Sequence, residues 1–328
     1  MKIKLLALLC MLSVFHLQAQ EQTSSFNVLN LPASSHVAAL GGRNISLLED
    51  NAAIGWSNPA RYAEVSDLSL DLDYMTYLAG TSWMGAHFAK AFGERHTLAV
   101  GAQYMDYGTM DETDETGQVI GTFKAKDIAV GVGYSYLLSD RWSGGASLKT
   151  LVSHLADYSA VTLSVDLGLN YYDEEQDLSL ALALQNIGTQ VNSYEAHQRT
   201  HLPFSFDIGL SKGMAHLPVR IHATLVDITR WKDSYYALPD ADAEKPGFSR
   251  KALNHFVLGL DILPTDNVTL SVGYNFRRAY ELKAAGSSHL AGFSAGGSLS
   301  LSKFNFGVTY ARYHQAASSL MFSAGYKL

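Results

Sequence analysis

Few residues in this chain have the types and spacing that catalysis requires. Ser300 and Lys303 stand three positions apart, the spacing at which a lysine activates a serine nucleophile in penicillin-binding enzymes. That chemistry needs both side chains on one helical turn, together with Ser-Asp-Asn and Lys-Thr-Gly motifs that this sequence lacks. Ser300 instead ends an alternating apolar run, so we interpret the pair as part of a tight hairpin and expect no catalytic residue.

Two further groups have the chemistry of metal ligands. His197 and His201 are four apart, with Glu195 nearby, which suits a metal ion if the segment is helical. The carboxylates in the run from Asp111 to Glu115 are the oxygen ligands that calcium prefers, but their spacing is not that of an EF-hand. Both groups lie between apolar runs. We interpret them as hydrated polar loops and expect neither a metal ion nor a cofactor.

Charged side chains also occur inside the apolar runs, at positions that alternate with the apolar ones. The other residues at these alternate positions are mostly small (Gly, Ser and Ala), which leaves space in an enclosed lumen. We expect the charged side chains to face that lumen and to pair with each other or with a plug. They are Asp71, Asp73, Lys149, Asp166, Asp207, Asp261 and Arg277.

The elements that carry these residues are strands with a two-residue period, which starts at Asp67. Leu70 and Leu72 lie on one face of the first run, and Asp71 and Asp73 lie on the other. The same alternation occurs in fourteen runs, at residues 67–74, 81–92, 98–104, 128–136, 141–155, 161–171, 178–184, 204–210, 219–225, 256–262, 268–276, 293–301, 304–310 and 320–328.

An even number of long strands is typical of bacterial outer-membrane barrels, in which short periplasmic turns alternate with long extracellular loops. The pattern therefore predicts an all-β fold, a 14-stranded antiparallel transmembrane β-barrel over residues 67–328, with the N- and C-termini in the periplasm. A soluble β-sandwich is the alternative, because its strands also alternate, but sandwich strands are shorter. The long connections fall at residues 108–126, 188–202, 229–253 and 279–288.

The composition agrees with a barrel. Only 17% of the residues are charged, against roughly 25% in soluble domains. After residue 20, no apolar run is long enough to cross a bilayer as a helix. The net charge of −7 and the lack of a basic cluster argue against nucleic acid as a partner.

The first residues indicate export. Lys2 and Lys4 precede an apolar stretch from Leu5 to Phe15, which predicts a signal peptide over residues 1–19. Cys10, the only cysteine, lies within this segment. The mature protein is therefore expected to have no thiol and no disulfide.

Residues 20–66 lack the two-residue period. Ser34 or Ser35 is expected to cap a short helix that ends at Gly41, and a second helix is expected from near Asp50 to Asn58-Pro59. A segment of this kind suits a plug folded into the barrel lumen. A loose periplasmic tail is the alternative.

The plug segment and several later motifs resemble a known family. They resemble FadL-like barrels and the PorV/PorQ family of type IX secretion in Bacteroidota, and the later motifs are similar to the PorQ branch. The plug motifs are Leu31-Pro32-Ala33-Ser34-Ser35, Ala39-Leu40-Gly41-Gly42, Glu49-Asp50-Asn51-Ala52 and Asn58-Pro59-Ala60. The later motifs are Asp106-Tyr107-Gly108, Asp111 to Gly117, Leu184-Gln185-Asn186-Ile187-Gly188 and Leu202-Pro203-Phe204.

This resemblance implies a non-enzymatic outer-membrane component of the type IX protein secretion machinery. The implied partners are the attachment-complex proteins PorZ, PorU and PorV, with an implied role in anchoring PorZ. The long loop at 229–253 combines Trp231, Tyr235, Tyr236 and Phe248 with charges, a composition typical of contact surfaces, so we expect partners to dock there. These aromatics could equally meet lipopolysaccharide. The alternative function is FadL-type transport of hydrophobic small molecules.

Overall fold

The computed structural model describes residues 26–194, 200–232, 245–281, 290–312 and 318–328; the predicted signal peptide lies outside them. Antiparallel strands form a closed barrel in which each strand pairs with its sequence neighbours and β1 pairs with β14. The predicted fold class is confirmed. The strands are β1 Ser69–Thr76, β2 Ser82–Phe92, β3 His96–Thr113, β4 Val119–Ser139, β5 Trp142–Leu155, β6 Tyr158–Asp173, β7 Leu178–Asn192, β8 Ser205–Gly213, β9 Val219–Leu225, β10 Phe256–Thr265, β11 Val268–Asn275, β12 Phe293–Ser300, β13 Phe304–Ala311 and β14 Ser319–Lys327.

The outer face of the barrel is apolar, and the inner face carries the buried polar groups. On β1, Leu72 is 50% exposed, whereas the adjacent Asp71 and Asp73 are buried. Phe322, on the neighbouring β14, is also exposed. A continuous band of exposed Leu, Val and Phe side chains is the surface that a transmembrane barrel presents to lipid.

The longest hairpin corrects one of the predicted loops. Residues 108–126 were expected to form a long connection, but β3 continues to Thr113 and β4 begins at Val119. The two strands continue to pair after a register shift between Asp106 and Thr109. Gly108, with φ of +77°, allows the bulge that this shift requires.

Four short helices lie before the first strand. Helix α1 covers Ser35–Ala39, and 3-10 helices cover Asn27–Asn30, Ala52–Trp56 and Pro59–Glu64. Ser34 caps α1 by accepting a hydrogen bond from the backbone N–H of Val37. Gly41 follows the helix with φ of +94°, as the predicted glycine stop requires.

The second predicted helix is wrong in extent. Asn51 caps the 3-10 helix Ala52–Trp56, and a separate 3-10 helix starts at Pro59, where the sequence pattern predicts an end. Proline fits the first position of a helix, because its φ is already helical and no N–H is needed there. Asn58 supplies the cap that makes this start possible.

The segment before β1 is enclosed by the barrel. Every side chain from Pro32 to Tyr62 is buried or half-buried, and the hydrogen bonds described below join this segment to inward-facing wall residues. We call residues 26–66 the plug. The structure thus shows the predicted plug within the barrel lumen.

Within the ranges described above, two further α-helices lie at the end of the barrel that carries the long connections, and a 3-10 helix, Leu78–Gly80, lies between β1 and β2. Helix α2 covers Phe248–Asn254 and helix α3 covers Phe276–Glu281. Phe276 was predicted to end a strand, but it begins α3. Among the described residues, no helix is both long enough and apolar enough to cross a membrane.

Candidate functional site: the plug and the lumen

Polar side chains of the wall bond the plug around most of the barrel. Each contact joins an inward-facing residue to a backbone or side-chain atom of the plug. The pairs are Asp71 on β1 with Ala52, Lys149 on β5 with Trp56, Asn186 on β7 with Asn30, Asp207 on β8 with Arg43, His222 on β9 with Asn44, Asp261 on β10 with His36, Asn275 on β11 with Gly41, Ser294 on β12 with Ala39, and both Thr309 on β13 and Ser323 on β14 with Ser35.

His36, on α1, lies between two carboxylates. Its Nε2 atom is 3.0 Å from Oδ1 of Asp261, and its Nδ1 atom is 3.2 Å from Oε2 of Glu49. Burial alone would lower the pKa of His36, but the carboxylates of Asp261 and Glu49 outweigh it and raise the pKa to about 10. The ring is therefore protonated at neutral pH and donates to both carboxylates. It forms a buried ion pair between plug and wall.

A second cation of the plug is held in the same way. Arg43 Nη2 donates to Oδ2 of Asp207 at 2.7 Å and to Oγ of Ser205 at 3.1 Å. Its Nη1 atom donates to Asn30 within the plug at 2.9 Å. Removing either partner would leave a buried charge without a counter-ion, which is strongly destabilising. The pair therefore holds Arg43 of the plug against Asp207 of the wall.

On β5 the wall supplies the cation. Lys149 Nζ lies 2.5 Å from Oδ2 of Asp166 and donates to the carbonyl oxygen of Trp56 at 2.6 Å. The same ammonium lies 4.3 Å from the centre of the Trp56 ring, within cation–π range. Two lumen charges thus pair with each other, as the sequence predicts, and one of them also holds the plug.

Arg277 departs from this prediction. It lies on α3, beyond the end of its strand, and bonds Asp227 at 3.4 Å and Glu281 at 2.7 Å. It was predicted to face the lumen at the end of the run 268–276. The structure places it in a short helix at the rim instead.

The Asn58-Pro59-Ala60 motif is a turn that fits the wall. Asn58 is fully buried, and its Oδ1 atom accepts from the N–H of Ala60 at 3.1 Å, while Nδ2 donates to the carbonyl oxygen of Ile45 at 2.9 Å. Two wall glycines make room for the motif. A Cβ atom on Gly145 would lie 2.4 Å from the Pro59 carbonyl carbon, and one on Gly168 would lie 2.0 Å from Asn58 Oδ1.

One part of the lumen is apolar, which the sequence pattern did not predict. Met75, Trp83, Met105, Leu151 and Met321 face inward and are at most 2% exposed. They form one cluster with plug side chains at the start of the segment, namely Phe26, Val28 and Leu29. The sequence did contain a signal for this cluster. These large apolar residues stand at the alternate positions that face the lumen, where the other residues are mostly small or polar.

Of the predicted docking residues, Trp231 and Phe248 lie at the end of the barrel with the long connections. The Trp231 and Phe248 rings are stacked with centroids 5.8 Å apart, and Trp231 also lies 4.5 Å from the ring of His255. Phe248 is 78% exposed. Tyr235 and Tyr236 lie outside the described residues.

The candidate catalytic and metal residues that the structure describes do not form a site. Ser300 ends β12 and Lys303 lies in the turn before β13, as the hairpin interpretation predicts. Asp114 accepts hydrogen bonds from Thr116 and Gln118, so it closes the tip of a hairpin. Hydrogen bonds from Thr116 hold the pKa of Asp114 below its usual range.

His201 lies at an exposed position, while His197 and Glu195 lie outside the described residues. Within the described part of the chain, no cluster of three or more histidine, cysteine or carboxylate side chains has the geometry to hold a metal ion.

Comparison with known proteins gives structural but no sequence matches. No family model matches the chain, and no curated protein matches it. The toluene transporter TodX of Pseudomonas putida has a TM-score of 0.56 at 13% identity, over 90% of this chain and 97% of that one. The CymD monoaromatic hydrocarbon channel has a TM-score of 0.58 at 14% identity, over 90% and 97%.

A Pseudomonas aeruginosa FadL homologue has a TM-score of 0.53 at 10% identity, over 90% of this chain and 98% of that chain. At these identities the likeness concerns the fold. This chain has a FadL-like barrel fold.

Proposed function

We propose that the chain is a non-enzymatic outer-membrane barrel that anchors a protein complex at the cell surface, as the resemblance to the PorV/PorQ family implies, with a PorZ-type protein as its partner. The observation that carries the proposal is the plug. It fills the lumen and is bonded to β1, β5 and each of β7 to β14. A barrel closed in this way is suited to act as a fixed support in the membrane.

The surface that would hold the partner is the end with the long connections. In outer-membrane barrels the short turns face the periplasm, which directs Trp231 and Phe248 to the outside. Exposed aromatics are enriched at protein interfaces. The same rings could contact lipopolysaccharide at the rim, so the experiment must separate a protein partner from lipid.

The test is cross-linking on intact cells, followed by purification of the full barrel in mild detergent and mass spectrometry of the proteins that co-purify. Amounts of a PorZ-, PorU- or PorV-type protein comparable to the barrel itself would support anchoring. In a deletion strain, cargo should be released from the surface. Unchanged cargo display together with a barrel that purifies alone would overturn the proposal.

A second candidate is the passage of hydrophobic small molecules across the outer membrane. The comparisons favour this candidate over the first, because two of the compared structures are described as a toluene transporter and a monoaromatic hydrocarbon channel. The apolar part of the lumen supports it too. Met75, Trp83 and Met105 form an apolar patch that Phe26 and Leu29 of the plug cover, so an apolar molecule would bind there by taking the place of these plug side chains.

Transport is tested by solvent extraction of the purified barrel and by uptake of labelled apolar compounds. Bound lipophilic molecules, and reduced uptake in the deletion strain, would support it. A barrel free of such molecules, with uptake unchanged after deletion, would exclude it and leave anchoring as the function.

A further inference from the structure

The hairpin of β3 and β4 extends well beyond the neighbouring strands. Pairing between β2 and β3 ends at Ser82 and Asp106, and pairing between β4 and β5 ends at Ala125 and Leu155. Past these points β3 and β4 pair with each other to the tip of the hairpin, and at the base of the β4 edge the carbonyl oxygen of Lys124 also accepts from the N–H of Ala156 at 3.1 Å. We call residues 107–124 the ribbon. At about 3.3 Å per residue, it projects roughly 25 Å.

Both long edges of the ribbon lack a strand neighbour in the part of the chain that the structure describes. Edge strands expose unpaired backbone N–H and C=O groups, and proteins usually protect such edges with charges, proline or a covering segment. On the β4 edge these protections are missing, since the run from Val119 to Phe123 is Val-Ile-Gly-Thr-Phe. Val119 and Ile120 are 60% and 64% exposed.

The composition of this run favours pairing with a further strand. β-branched and aromatic residues favour extended pairing, and short, uncharged, β-forming segments on an exposed edge readily add another strand. An extended peptide that adds to such an edge gains backbone hydrogen bonds, and alternate side chains provide specificity.

The charge of the ribbon indicates which strand it would accept. Asp111, Glu112, Asp114 and Glu115 are all exposed, and residues 107–123 contain no lysine or arginine. A second copy of the ribbon would bring these carboxylates together, and like charges across an interface are unfavourable. A basic segment would instead be attracted to the tip before it pairs along the edge.

We infer that the β4 edge, from Val119 to Phe123, is a docking site that adds a strand from a basic, extended segment of an extracellular protein. This inference deepens the proposed anchoring function, and it rests on that function for the class of protein that is held. The contact is the ribbon backbone together with Val119 and Ile120, and the carboxylates at the tip select for lysine or arginine.

The test uses the full-length barrel in detergent and short fluorescent peptides, read by fluorescence anisotropy. One peptide alternates lysine with valine and threonine. A second has the same sequence with alternate backbone nitrogens methylated, and a third has glutamate in place of lysine. Edge pairing predicts that the second and third bind at least about tenfold more weakly than the first. Equal binding of the methylated peptide, or of the glutamate peptide, would overturn the inference.

Variants of the barrel test the same edge with the lysine peptide kept unchanged. Ile120→Lys places a protective charge on the edge and should weaken the lysine peptide about tenfold. Val191→Lys is the control, because Val191 is also 60% exposed and lies near the same end, on β7. Equal binding by wild type and Ile120→Lys would contradict the inference. If peptide binding follows these expectations while the purified complex lacks a secretion partner, the anchoring proposal fails and the docking edge stands.

Discussion

The Nε2 atom of His36 lies 3.0 Å from Oδ1 of Asp261, so a cation of the plug is held by an anion of the barrel wall. Glu49 holds the other ring nitrogen from within the plug. Because the three groups are buried or nearly so, solvent screens their attraction little. The seating of the plug is thereby linked to the protonation of one imidazole.

The first prediction concerns pH. The pKa of His36 is raised from 6.5 to about 10, so its contribution to plug stability is complete below pH 6.5 and is lost as the pH rises toward 10. Protection factors of plug amides, which correct hydrogen exchange for its intrinsic rise with pH, should therefore fall over this range in the detergent-solubilised barrel. His36→Gln should have lower protection factors at neutral pH, and these should depend much less on pH. An identical pH profile in the variant would contradict the assignment.

The second prediction concerns the fit between plug and wall. Gly145→Ala would place a methyl group 2.4 Å from the Pro59 carbonyl carbon, so either the plug or β5 must move. We expect the plug to become accessible to protease, or the yield of folded barrel on unheated SDS gels to fall. Gly144→Ala is the control on the same strand, since its new Cβ meets only Leu138 at 3.4 Å. Equal behaviour of the two variants would show that the plug does not press on β5.

The third prediction tests the Asn58 cap. Asn58→Ala removes a buried cap and leaves the N–H of Ala60 and the carbonyl oxygen of Ile45 without this partner. The expected cost is about 1–3 kcal/mol of plug stability, measured by denaturant titration with fluorescence of Trp56. Asn192→Ala provides the comparison, because Asn192 makes one exposed hydrogen bond to Ser159. A smaller effect at Asn58 than at Asn192 would be inconsistent with this role.

The fourth prediction concerns the buried pair of β5 and β6. Lys149→Met leaves Asp166 as an unpaired buried carboxylate and should cost about 3–5 kcal/mol. Adding Asp166→Asn removes that charge while retaining an acceptor for the N–H of Asn186, which donates to Asp166 at 2.7 Å. The double variant should therefore be more stable than Lys149→Met alone in the same denaturant titration. Additive losses would rule out the pairing.

The fifth prediction tests the exposed aromatic pair. If Trp231 and Phe248 contact the anchored partner, Trp231→Ala should weaken the complex by about 2 kcal/mol, seen as loss of the partner in quantitative co-purification. Trp142→Ala is the control, because Trp142 is also exposed but lies next to the short turn between β4 and β5. Loss of the partner from both variants would indicate a general folding defect, which the gel assay described above would reveal.

The barrel could be predicted because the signal for each strand lies within the sequence of that strand. A two-residue period that places Leu70 and Leu72 on one face and Asp71 on the other gives strand and orientation together. The strand number and the alternation of connection lengths then follow from counting. The extension of β3 and β4 was missed because residues 109–113 are mostly polar and residues 119–123 do not alternate apolar with polar side chains, so neither run shows a two-residue period.

The plug was predictable only in outline. Ser34 and Gly41 mark the ends of α1 in the sequence, but a helix of five residues has little stability alone, so its position depends on bonds to strands far along the chain. The start of a helix at Pro59 depends on the Asn58 cap. The pairing of His36 with Asp261, 225 positions apart, has no local signal.

The bond between Ser35 and Ser323, which are 288 positions apart, sets an order of assembly. The plug is the first part of the described chain to be exported, but its partners on β14 exist only when the last strand has been made. This bond can therefore form only when β14 has joined the barrel. Contacts of such large sequence separation form late and slowly, so the full set of plug contacts is complete only when the wall is complete.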